Sequence, residues 1–239
     1  MESSFSPVLR AAIFDVCGPK HAIDAIKSKM LVDLSTYFGA DGVWRYRMHL
    51  GSTFYDETEL RSLPFRHLGS NVKIKRTAGL FFVENISIMD DARIDDFTII
   101  VASREHVEIG CNVHIASQCY ISGSDGFVME DFSGLAPGVK IYTSSDDYTG
   151  EKMTNPTLPR HLIGGPAGKV VLRKHVIIGS NSVVLPKVTI EEGSSVGSLS
   201  LVNKSLPAWG VYAGIPVRRL RDRSQNLLIL EKELRASQA

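Results

Sequence analysis

The sequence contains seven histidines, the side chains best suited to exchange a proton near neutral pH. One of them, His114, stands in the segment EIGCNVHIASQCYISG, directly before Ile115, which belongs to a series of regularly spaced aliphatic residues. If Ile115 points into a core, the residue before it points outward. We therefore take His114 as a candidate general base. The alternative is a surface or interface histidine that makes a structural hydrogen bond.

A second group of candidates lies in a long polar segment, DDYTGEKMTNPTLPRHLIGGPAGK, which runs from Asp146 to Lys169. Its prolines and glycines exclude regular secondary structure, and loops of this length in compact domains are usually functional or disordered. Its carboxylate, phenol and amide groups could bind a polar substrate, the alternative being a flexible insertion. The residues that we single out here are Asp146, Asp147, Tyr148 and Asn155.

The third group is a short basic cluster near the end of the chain, formed by Arg218, Arg219 and Arg221. Guanidinium groups offer paired donors that match phosphate oxygens. A solvated surface, or ion pairs with a terminal helix, would explain the same cluster without a ligand. The formal net charge is only +1, and apart from this cluster no basic stripe of the kind that nucleic acid requires stands out.

These candidates are carried by a sequence whose aliphatic residues recur every six positions, a period of neither helix nor simple strand. The repeat is uninterrupted at Leu172, Ile178, Val184, Ile190, Val196 and Val202. A small or aliphatic residue follows four positions after each, at Val176, Ser182, Val188, Ser194, Ser200 and Leu206. Shorter runs with the same spacing begin near Leu68, Ile88, Ile109 and Met129.

A period of six predicts a coil with three flat faces, in which each face is one short strand and a turn. The aliphatic residue and the small residue four positions later both point inward, and Gly or Asp after the aliphatic residue (Gly110, Gly179, Gly197, Asp95) suits the bend. Stacked turns share one continuous core. We count about eighteen strands and hence roughly six turns.

The flanking segments do not carry the repeat. We expect residues 1–65 to form an N-terminal helical cap, because Ile23, Ile26, Met30, Leu31 and Leu34 form a helical apolar stripe. Residues 66–215 would form the coil, interrupted by the long loop 146–169, and residues 216–239 a tail and amphipathic C-terminal helix.

Composition and cysteine usage are those of an ordinary globular chain of 239 residues, with 44 % hydrophobic and 22 % charged residues. The three cysteines form no C-x-x-C pair, which fits a reducing compartment. No basic segment followed by a long apolar run stands at the start, and no membrane span is visible. We expect a cytoplasmic protein.

The hexapeptide runs, the long loop and the ending VGSLSLVNKSLPAWGVYAGIPVRRL resemble the left-handed β-helix acyltransferases. Within this family the sequence is similar to the bacterial galactoside, maltose and other sugar O- and N-acetyltransferases. The resemblance covers roughly Leu68 to Arg223 and implies a mainly β fold, a left-handed parallel β-helix. It also implies homotrimers with active sites between subunits and acetyl-CoA as cosubstrate, without a metal.

The resemblance implies where coenzyme A would lie. Its pantetheine arm would follow small residues that allow close approach to the backbone, and its phosphates would meet the arginine cluster. The arm would be lined by Ser180, Gly197, Ser198, Ala213 and Gly214, and the phosphates would be bound by Arg218, Arg219 and Arg221.

At the catalytic base the sequence departs from the family pattern. The family places a histidine just after the fourth run in a T-x-H-P setting, whereas IYTSSDDYTG has Asp146 there. Two hypotheses remain open. His114 is the base and Asp146 or Asp147 orients it or holds the substrate, or Asp146 assists an amine that needs only a weak base.

An aspartate in place of the histidine favours an amino acceptor, because a free amine is already a nucleophile. We therefore expect acetyl transfer from acetyl-CoA to a nucleotide-linked amino sugar for surface polysaccharide (lipopolysaccharide) synthesis, by direct attack in a ternary complex. A sugar O-acetyltransferase and a non-catalytic β-helix scaffold are the alternatives. A zinc hydrolyase of the gamma carbonic anhydrase kind is disfavoured, because it needs three converging histidines and no third one follows His106 and His114 in frame.

Overall fold

The computed structural model describes residues 34–38, 44–48 and 53–238, which belong to two compact units, residues 1–53 and 54–239. In the first unit β1 (Leu34–Phe38) pairs antiparallel with β2 (Trp44–Met48). Leu34, the last residue of the predicted helical stripe, thus begins a strand. The other four stripe residues lie outside the described residues, and the helical cap remains a prediction for them.

The second unit begins with a short helix, α1 (Glu57–Arg61), and continues as a coil of parallel strands in three sheets, which we call faces 1, 2 and 3. Face 3 contains β3 (His67–Leu68), β6 (Ile86–Ile88), β9 (Val107–Ile109), β12 (Phe127–Met129), β15 (Val170–Leu172) and β18 (Thr189–Ile190). A 3₁₀ helix, Val83–Asn85, precedes β6.

Successive strands of the chain pass from face 3 to face 1 and then to face 2. Face 1 contains β4 (Lys73–Ile74), β7 (Arg93–Ile94), β10 (His114–Ile115), β13 (Gly134–Leu135), β16 (Ile177–Ile178), β19 (Ser195–Val196) and β21 (Gly210–Ala213), with β22 (Arg218–Asp222) antiparallel to β21. Face 2 contains β5 (Gly79–Phe81), β8 (Ile99–Val101), β11 (Tyr120–Ser122), β14 (Lys140–Tyr142), β17 (Val183–Val184) and β20 (Leu201–Val202).

Strands β3 to β20 are eighteen strands in three faces of six, which is six turns, and β21 starts a seventh. The mainly β, left-handed parallel β-helix fold with a C-terminal helix is therefore confirmed. The core is a stack of the repeating aliphatic residues, and those from Ile88 to Val202 are at most 3 % exposed. The residue four positions later is also inward, as predicted: Ser182, Ser194 and Ser200 are at most 2 % exposed, and their hydroxyls donate to backbone carbonyls.

The turns bend at a residue that the sequence analysis did not single out. The backbone adopts the left-handed conformation three positions after the aliphatic residue, as at Asn112, Phe132, His175 and Asn181. The glycine directly after the aliphatic residue instead allows successive turns of the coil to stack closely. A Cβ at Gly179 would lie 2.4 Å from the backbone nitrogen of Ser198 in the next turn. These glycines permit close contact between turns, and the bend itself is made two residues later.

The chain ends in α2 (Leu227–Gln238), which packs on the edge between faces 3 and 1. Its Glu231 carboxylate, 9 % exposed, accepts hydrogen bonds from Lys174 Nζ at 2.6 Å, His175 Nε2 at 2.8 Å and Arg235 Nε at 2.7 Å. Burial raises the pKa of Glu231, but these three donors outweigh it and hold the pKa at about 2. His175 faces outward from the coil, and its ring stacks on Phe132 with centroids 5.3 Å apart.

The stacked core predicts a sharp difference between two neighbouring isoleucines of β16. Ile178 is fully buried and Ile177 is 38 % exposed. We expect Ile178→Ala to lower the free energy of unfolding by about 2–5 kcal/mol, because it leaves a cavity in a packed core. Ile177→Ala is the matched control and should cost less than about 1 kcal/mol. Urea unfolding of both variants measures the difference, and equal losses would contradict the assignment of the inward face.

The Glu231 contacts predict an acid-sensitive attachment of α2. Since the folded-state pKa lies below the ordinary value of 4.5, the stabilisation is present above pH 4.5 and is lost as the pH falls towards about 2. Glu231→Gln should lower the free energy of unfolding at pH 7 by about 1–3 kcal/mol and flatten its dependence on pH in that window. Urea unfolding at several pH values, with amide hydrogen exchange in α2, measures both effects. The exposed Glu233→Gln is the control, and identical behaviour of the two variants would refute the role of Glu231.

Candidate functional site

Face 1 carries an open groove of about 490 Å³ between the outward side chains of three turns and the C-terminal tail. Its floor is mainly apolar, with polar groups at its two ends. The lining residues are Asn112, His114, Ala116, residues 132–137, His175, Ile177, Arg223 and Leu227. The predicted base His114 therefore lies in the groove, as the first residue of β10.

His114 is held by an aspartate of the preceding turn. Its Nε2 lies 2.8 Å from Asp95 Oδ2, and Arg93 Nε donates to Asp95 Oδ1 at 2.8 Å. Burial raises the pKa of Asp95, but the hydrogen bonds from His114 and Arg93 outweigh it, so that the pKa lies below its ordinary value. Asp95 thus remains a carboxylate that fixes one nitrogen of the imidazole ring.

The register of face 1 explains why the His114 ring is accessible. His114 stacks between Arg93 below and Gly134 above, and the absent side chain at Gly134 leaves the ring 52 % exposed. Among residues 53–238 the Nδ1 atom of His114 has no hydrogen-bond partner. A base with one nitrogen oriented by a carboxylate and the other free towards a groove can accept a proton from a bound nucleophile.

Sequence reasoning expected Asp146 or Asp147 to orient His114, and within one chain Asp95 does so instead. Asp95 follows Ile94 directly and was noted only as a bend residue. Its partner lies nineteen positions further along the chain, which is one turn of the coil including a small slip. The signal was available, since in a stacked coil outward residues of adjacent turns become neighbours.

The loop 146–169 leaves the coil between β14 and β15, along the edge between faces 2 and 3, which we call the loop edge. At its base Ser145 N–H donates to the Pro166 carbonyl at 2.9 Å and Gly168 N–H to the Thr143 carbonyl at 2.8 Å. Asp146 follows Ser145 and so lies at the loop edge, whereas His114 lies on face 1. The two predicted catalytic residues therefore occupy different sides of one chain.

The other predicted loop residues differ in what they have free for a ligand. Asp147 accepts hydrogen bonds from Thr149 N, Thr149 Oγ1 and Lys152 N, with the Thr149 hydroxyl as the strongest, and these hold its pKa at about 2. Asn155 Oδ1 accepts two bonds from Thr157. Both side chains thus fold the loop on itself, while Tyr148 is 91 % exposed and available.

The five small residues predicted to line coenzyme A come together along the edge between faces 1 and 2. They lie one or two positions after the inward residues Ile178, Val196 and Tyr212 of successive turns, as a ladder made of Ser180, Gly197, Ser198, Ala213 and Gly214. A Cβ at Gly197 would lie 3.1 Å from Ala213 Cβ, so the turns approach closely here. The ladder offers a thin, unobstructed surface.

The arginine cluster lies on β22, a strand that sequence reasoning placed in the tail. Arg218 pairs with Ala213 of the ladder, and both Arg218 and Arg221 are exposed without an ion pair among the described residues. Arg219 is engaged, since it donates to Asp222 Oδ1 at 2.7 Å and to the Tyr212 hydroxyl at 3.1 Å. Two of the three arginines predicted to bind phosphate therefore have no ion-pair partner among the described residues.

Arg223 is a groove residue that sequence reasoning missed. Its Nη1 donates to the carbonyls of His175 at 2.8 Å and Gly193 at 3.0 Å, and burial lowers its pKa. It fastens the segment after β22 to two turns of the coil and closes one end of the face 1 groove. A basic residue that binds backbone carbonyls leaves no pattern in the sequence.

A second cavity of about 390 Å³ lies at the loop edge, lined by Glu105, His106, Asp125, Gly126, Ala167, Gly168 and Lys169. The sequence analysis weighed His106 only as a possible zinc ligand. It stands at a corner of the coil, which places it on the same edge as the loop and Asp146. Its Nε2 lies 3.2 Å from Ser87 Oγ on β6.

In the part of the chain that the structure describes, three or more His, Cys, Asp or Glu side chains do not converge in a way that could hold a metal ion. None of its helices combines the length and the apolar character that a membrane span requires.

Comparisons with known proteins give this geometry its context. No family model matches the chain. A dTDP-4-amino-4,6-dideoxy-D-glucose acyltransferase of Escherichia coli is 37 % identical over 184 residues, which cover 77 % of this chain and 96 % of the relative.

Solved structures of AntD, an N-acyltransferase from Bacillus cereus, share the fold. A mutant in complex with dTDP and coenzyme A superposes with a TM-score of 0.76 at 38 % identity, over 79 % of this chain and 100 % of AntD. Another mutant, in complex with dTDP-4-amino-4,6-dideoxyglucose and coenzyme A, gives a TM-score of 0.73 at 36 % identity, over 78 % and 99 %.

The predicted resemblance to hexapeptide-repeat β-helix acyltransferases is thus confirmed, and so is the prediction of an acyltransferase. With 96 % of the E. coli relative covered, the chain belongs to the family of hexapeptide-repeat acyltransferases that includes the dTDP-amino-sugar acyltransferases.

Proposed function

We propose that this protein transfers an acyl group, acetyl in the simplest case, from an acyl-CoA thioester to the amino group of a nucleotide-linked amino sugar. The observation that carries the proposal is His114, half exposed in the face 1 groove and oriented by the Asp95 carboxylate, in a chain of this family. The E. coli relative is named for a dTDP-linked 4-amino sugar, and AntD has been solved with such a sugar and coenzyme A. A dTDP-4-amino-4,6-dideoxyhexose is therefore the first acceptor to consider.

The reaction proceeds by direct attack in a ternary complex. The sugar nitrogen attacks the thioester carbonyl, and His114 Nδ1 accepts the proton that the nitrogen loses as the C–N bond forms. The imidazolium, stabilised by Asp95, then protonates the departing thiolate as the C–S bond breaks. Asp95 has the role of the orienting carboxylate in a base–carboxylate pair.

The described cysteines do not favour a covalent acyl-enzyme. Burial raises the pKa of Cys119 to about 11, and burial together with Asp131 also raises the pKa of Cys111. Neither thiol is therefore a thiolate at neutral pH, and the thiolate is the nucleophilic form. The third cysteine, Cys17, lies outside the described residues.

Coenzyme A would lie along the edge between faces 1 and 2. Its pantetheine arm would follow the ladder formed by Ser180, Gly197, Ser198, Ala213 and Gly214, where close turns expose backbone. Arg218 and Arg221 stand beside the end of this ladder with free guanidinium groups that suit phosphate. Arg219 lies on the same strand and would also contact the phosphates, although it now donates a hydrogen bond to Asp222.

We further propose that the active unit is a homotrimer with sites between subunits. In a ring of identical chains, one surface of each copy contacts a different surface of the next. The His114 groove of one copy would then face the loop edge of its neighbour. Asp146 and Tyr148 would reach the acceptor across the interface, and Asp147 and Asn155 would hold the loop in shape. We place this trimer in the cytoplasm and in the synthesis of surface polysaccharides such as lipopolysaccharide.

A panel of acceptors tests the proposed reaction. Thiol release from acetyl-CoA would be followed with dTDP-4-amino-4,6-dideoxyglucose, a UDP-linked amino sugar and the corresponding neutral sugars. We expect turnover with the nucleotide-linked amino sugars and none with hydroxyl-only acceptors, since the free amine is the better nucleophile. Turnover with hydroxyl acceptors alone would make this a sugar O-acetyltransferase. Silence across the panel with coenzyme A still bound would favour a scaffold and contradict the proposal.

The role of His114 has its own test. We expect His114→Ala to lower kcat by about 10²–10⁴-fold, the usual contribution of a general base, while calorimetry shows unchanged coenzyme A binding. His67→Ala, which removes an exposed histidine of face 3, is the control. Unchanged turnover in His114→Ala would remove this residue from the mechanism.

A further inference from the structure

The cavity at the loop edge contains a histidine and a set of charged side chains that the proposed mechanism does not use. It is formed where three successive turns pass from face 2 to face 3, at residues 102–106, 123–126 and 143–169. Gly126 and Gly168, both with positive φ, form part of its wall. A Cβ at Gly126 would lie 3.3 Å from the side chain of Lys169, which also lines the cavity. At these two glycines the wall consists of backbone alone.

His106 presents a free nitrogen to this cavity. Its Nε2 contacts the hydroxyl of Ser87, a buried residue, and its Nδ1 has no hydrogen-bond partner in residues 53–238. The charged groups that face the ring are Arg66, Lys169, Glu105 and Glu108. Burial lowers the pKa of His106 and the two cations lower it further, against the opposing effect of the carboxylates. The imidazole is therefore uncharged at neutral pH and able to accept a proton.

The carboxylates beside His106 are not equivalent. Asp125 is paired with Arg104, whose Nη2 lies 2.6 Å from Asp125 Oδ2. Glu105 has no ion pair or side-chain hydrogen bond among the described residues. Glu108, the other carboxylate that faces the ring, does not line the cavity, whereas the Lys169 ammonium does. Beside Lys169 the lining thus offers one unpaired carboxylate and one neutral imidazole to a ligand that arrives as a primary ammonium. The carboxylate attracts the cation and the imidazole accepts its proton.

We propose that the loop-edge cavity binds the amino group of the acceptor sugar, with Glu105 attracting the ammonium and His106 Nδ1 removing its first proton. The inference rests on the proposed function and adds an acceptor site to it. Acylation of an ammonium requires two proton losses, one before attack and one during it. His106 accounts for the first, and His114 of a neighbouring copy for the second. The first proton passes from His106 to solvent, and the second reaches the coenzyme A thiolate.

The position of the cavity fits this role. It lies at the C-terminal end of the loop, where Ala167, Gly168 and Lys169 line it, and the exposed Tyr148 of the same loop could contact the sugar. The His114 groove lies on a different face of the same chain. The family pattern has a histidine at the position of Asp146. In this chain the loop edge still carries a histidine, because His106 lies at an adjacent corner of the coil.

Two variants and a matched control test the proposal with dTDP-4-amino-4,6-dideoxyglucose and acetyl-CoA. We expect Glu105→Gln to raise KM for the amino sugar about tenfold at pH 7 with little change in kcat, because a charge-assisted contact is lost. Glu84→Gln removes an exposed carboxylate one turn earlier on the same edge and should have no effect. Equal kinetics of the Glu105 and Glu84 variants would overturn the assignment of Glu105.

The role of His106 is read from the dependence on pH. His106→Asn should lower kcat/KM for the amino sugar about 10²-fold at pH 7, and the loss should shrink as the pH rises and the sugar amine itself becomes uncharged. KM for acetyl-CoA should stay within a factor of about two. A loss that is the same at every pH would mean that His106 only supports the structure, and would overturn the proton-transfer role.

A binding measurement separates this proposal from the proposed function. Calorimetric titration of wild type and of both variants with dTDP-4-amino-4,6-dideoxyglucose does not require turnover. Should wild type bind the sugar without turnover, the proposed reaction fails, and weaker binding by the Glu105 and His106 variants still supports the cavity. Binding that is unchanged in both variants, or absent in wild type, overturns it.

Discussion

The parallel register between successive turns is the constraint on which the rest of the molecule depends. Every strand from β6 to β20 pairs in parallel with the strand one turn away, with its aliphatic residue opposite the equivalent one. A side chain is therefore inward or outward according to its place in the repeat alone. No turn can bury its aliphatic face by itself. The parallel register aligns the aliphatic residues of successive turns, and the contacts between them form the core.

This constraint also builds the candidate site. Outward residues of adjacent turns lie next to one another, so Asp95 and His114 meet although nineteen positions separate them. The same stacking exposes His114, because the turn above has Gly134 at the equivalent place. At the edges the coil tolerates insertions, which is why the long loop and His106 are both found at corners. A coil of this kind offers rigid positions on its faces and variable ones at its edges.

The fold could be predicted from the sequence because the six-residue repeat extends over many residues. The pattern is recognisable even where single positions depart from it. The inward positions, the three faces and the C-terminal helix are all direct consequences of spacing. The partner of His114 was missed, because Asp95 was judged only for its local effect on a bend. Arg223 and β22 were missed for a different reason, since an arginine that binds carbonyls and a strand that pairs antiparallel at the end of the coil both break the repeat. His106 was weighed only as a zinc ligand, because the slip of the repeat at 102–106 hides the corner that orients it.

The proposed roles of the loop and of the coil agree with their hydrogen bonds. The loop would recognise the acceptor, and the coil would hold the groups that transfer protons. Asp147 and Asn155 use their oxygens to fold the loop on itself, and the stem bonds of Ser145 and Gly168 anchor it to the corner. The loop therefore has hydrogen bonds of its own in addition to those of its stem. In contrast, His114 and His106 are fixed by Asp95 and Ser87, which belong to the coil. Groups that transfer protons must be held at a fixed distance from the reacting atoms, whereas groups that recognise a sugar can vary between relatives. In the proposed mechanism the rigid coil would hold the proton-transfer groups and the inserted loop would bind the acceptor, so changes of acceptor could arise in the loop without disturbing the core.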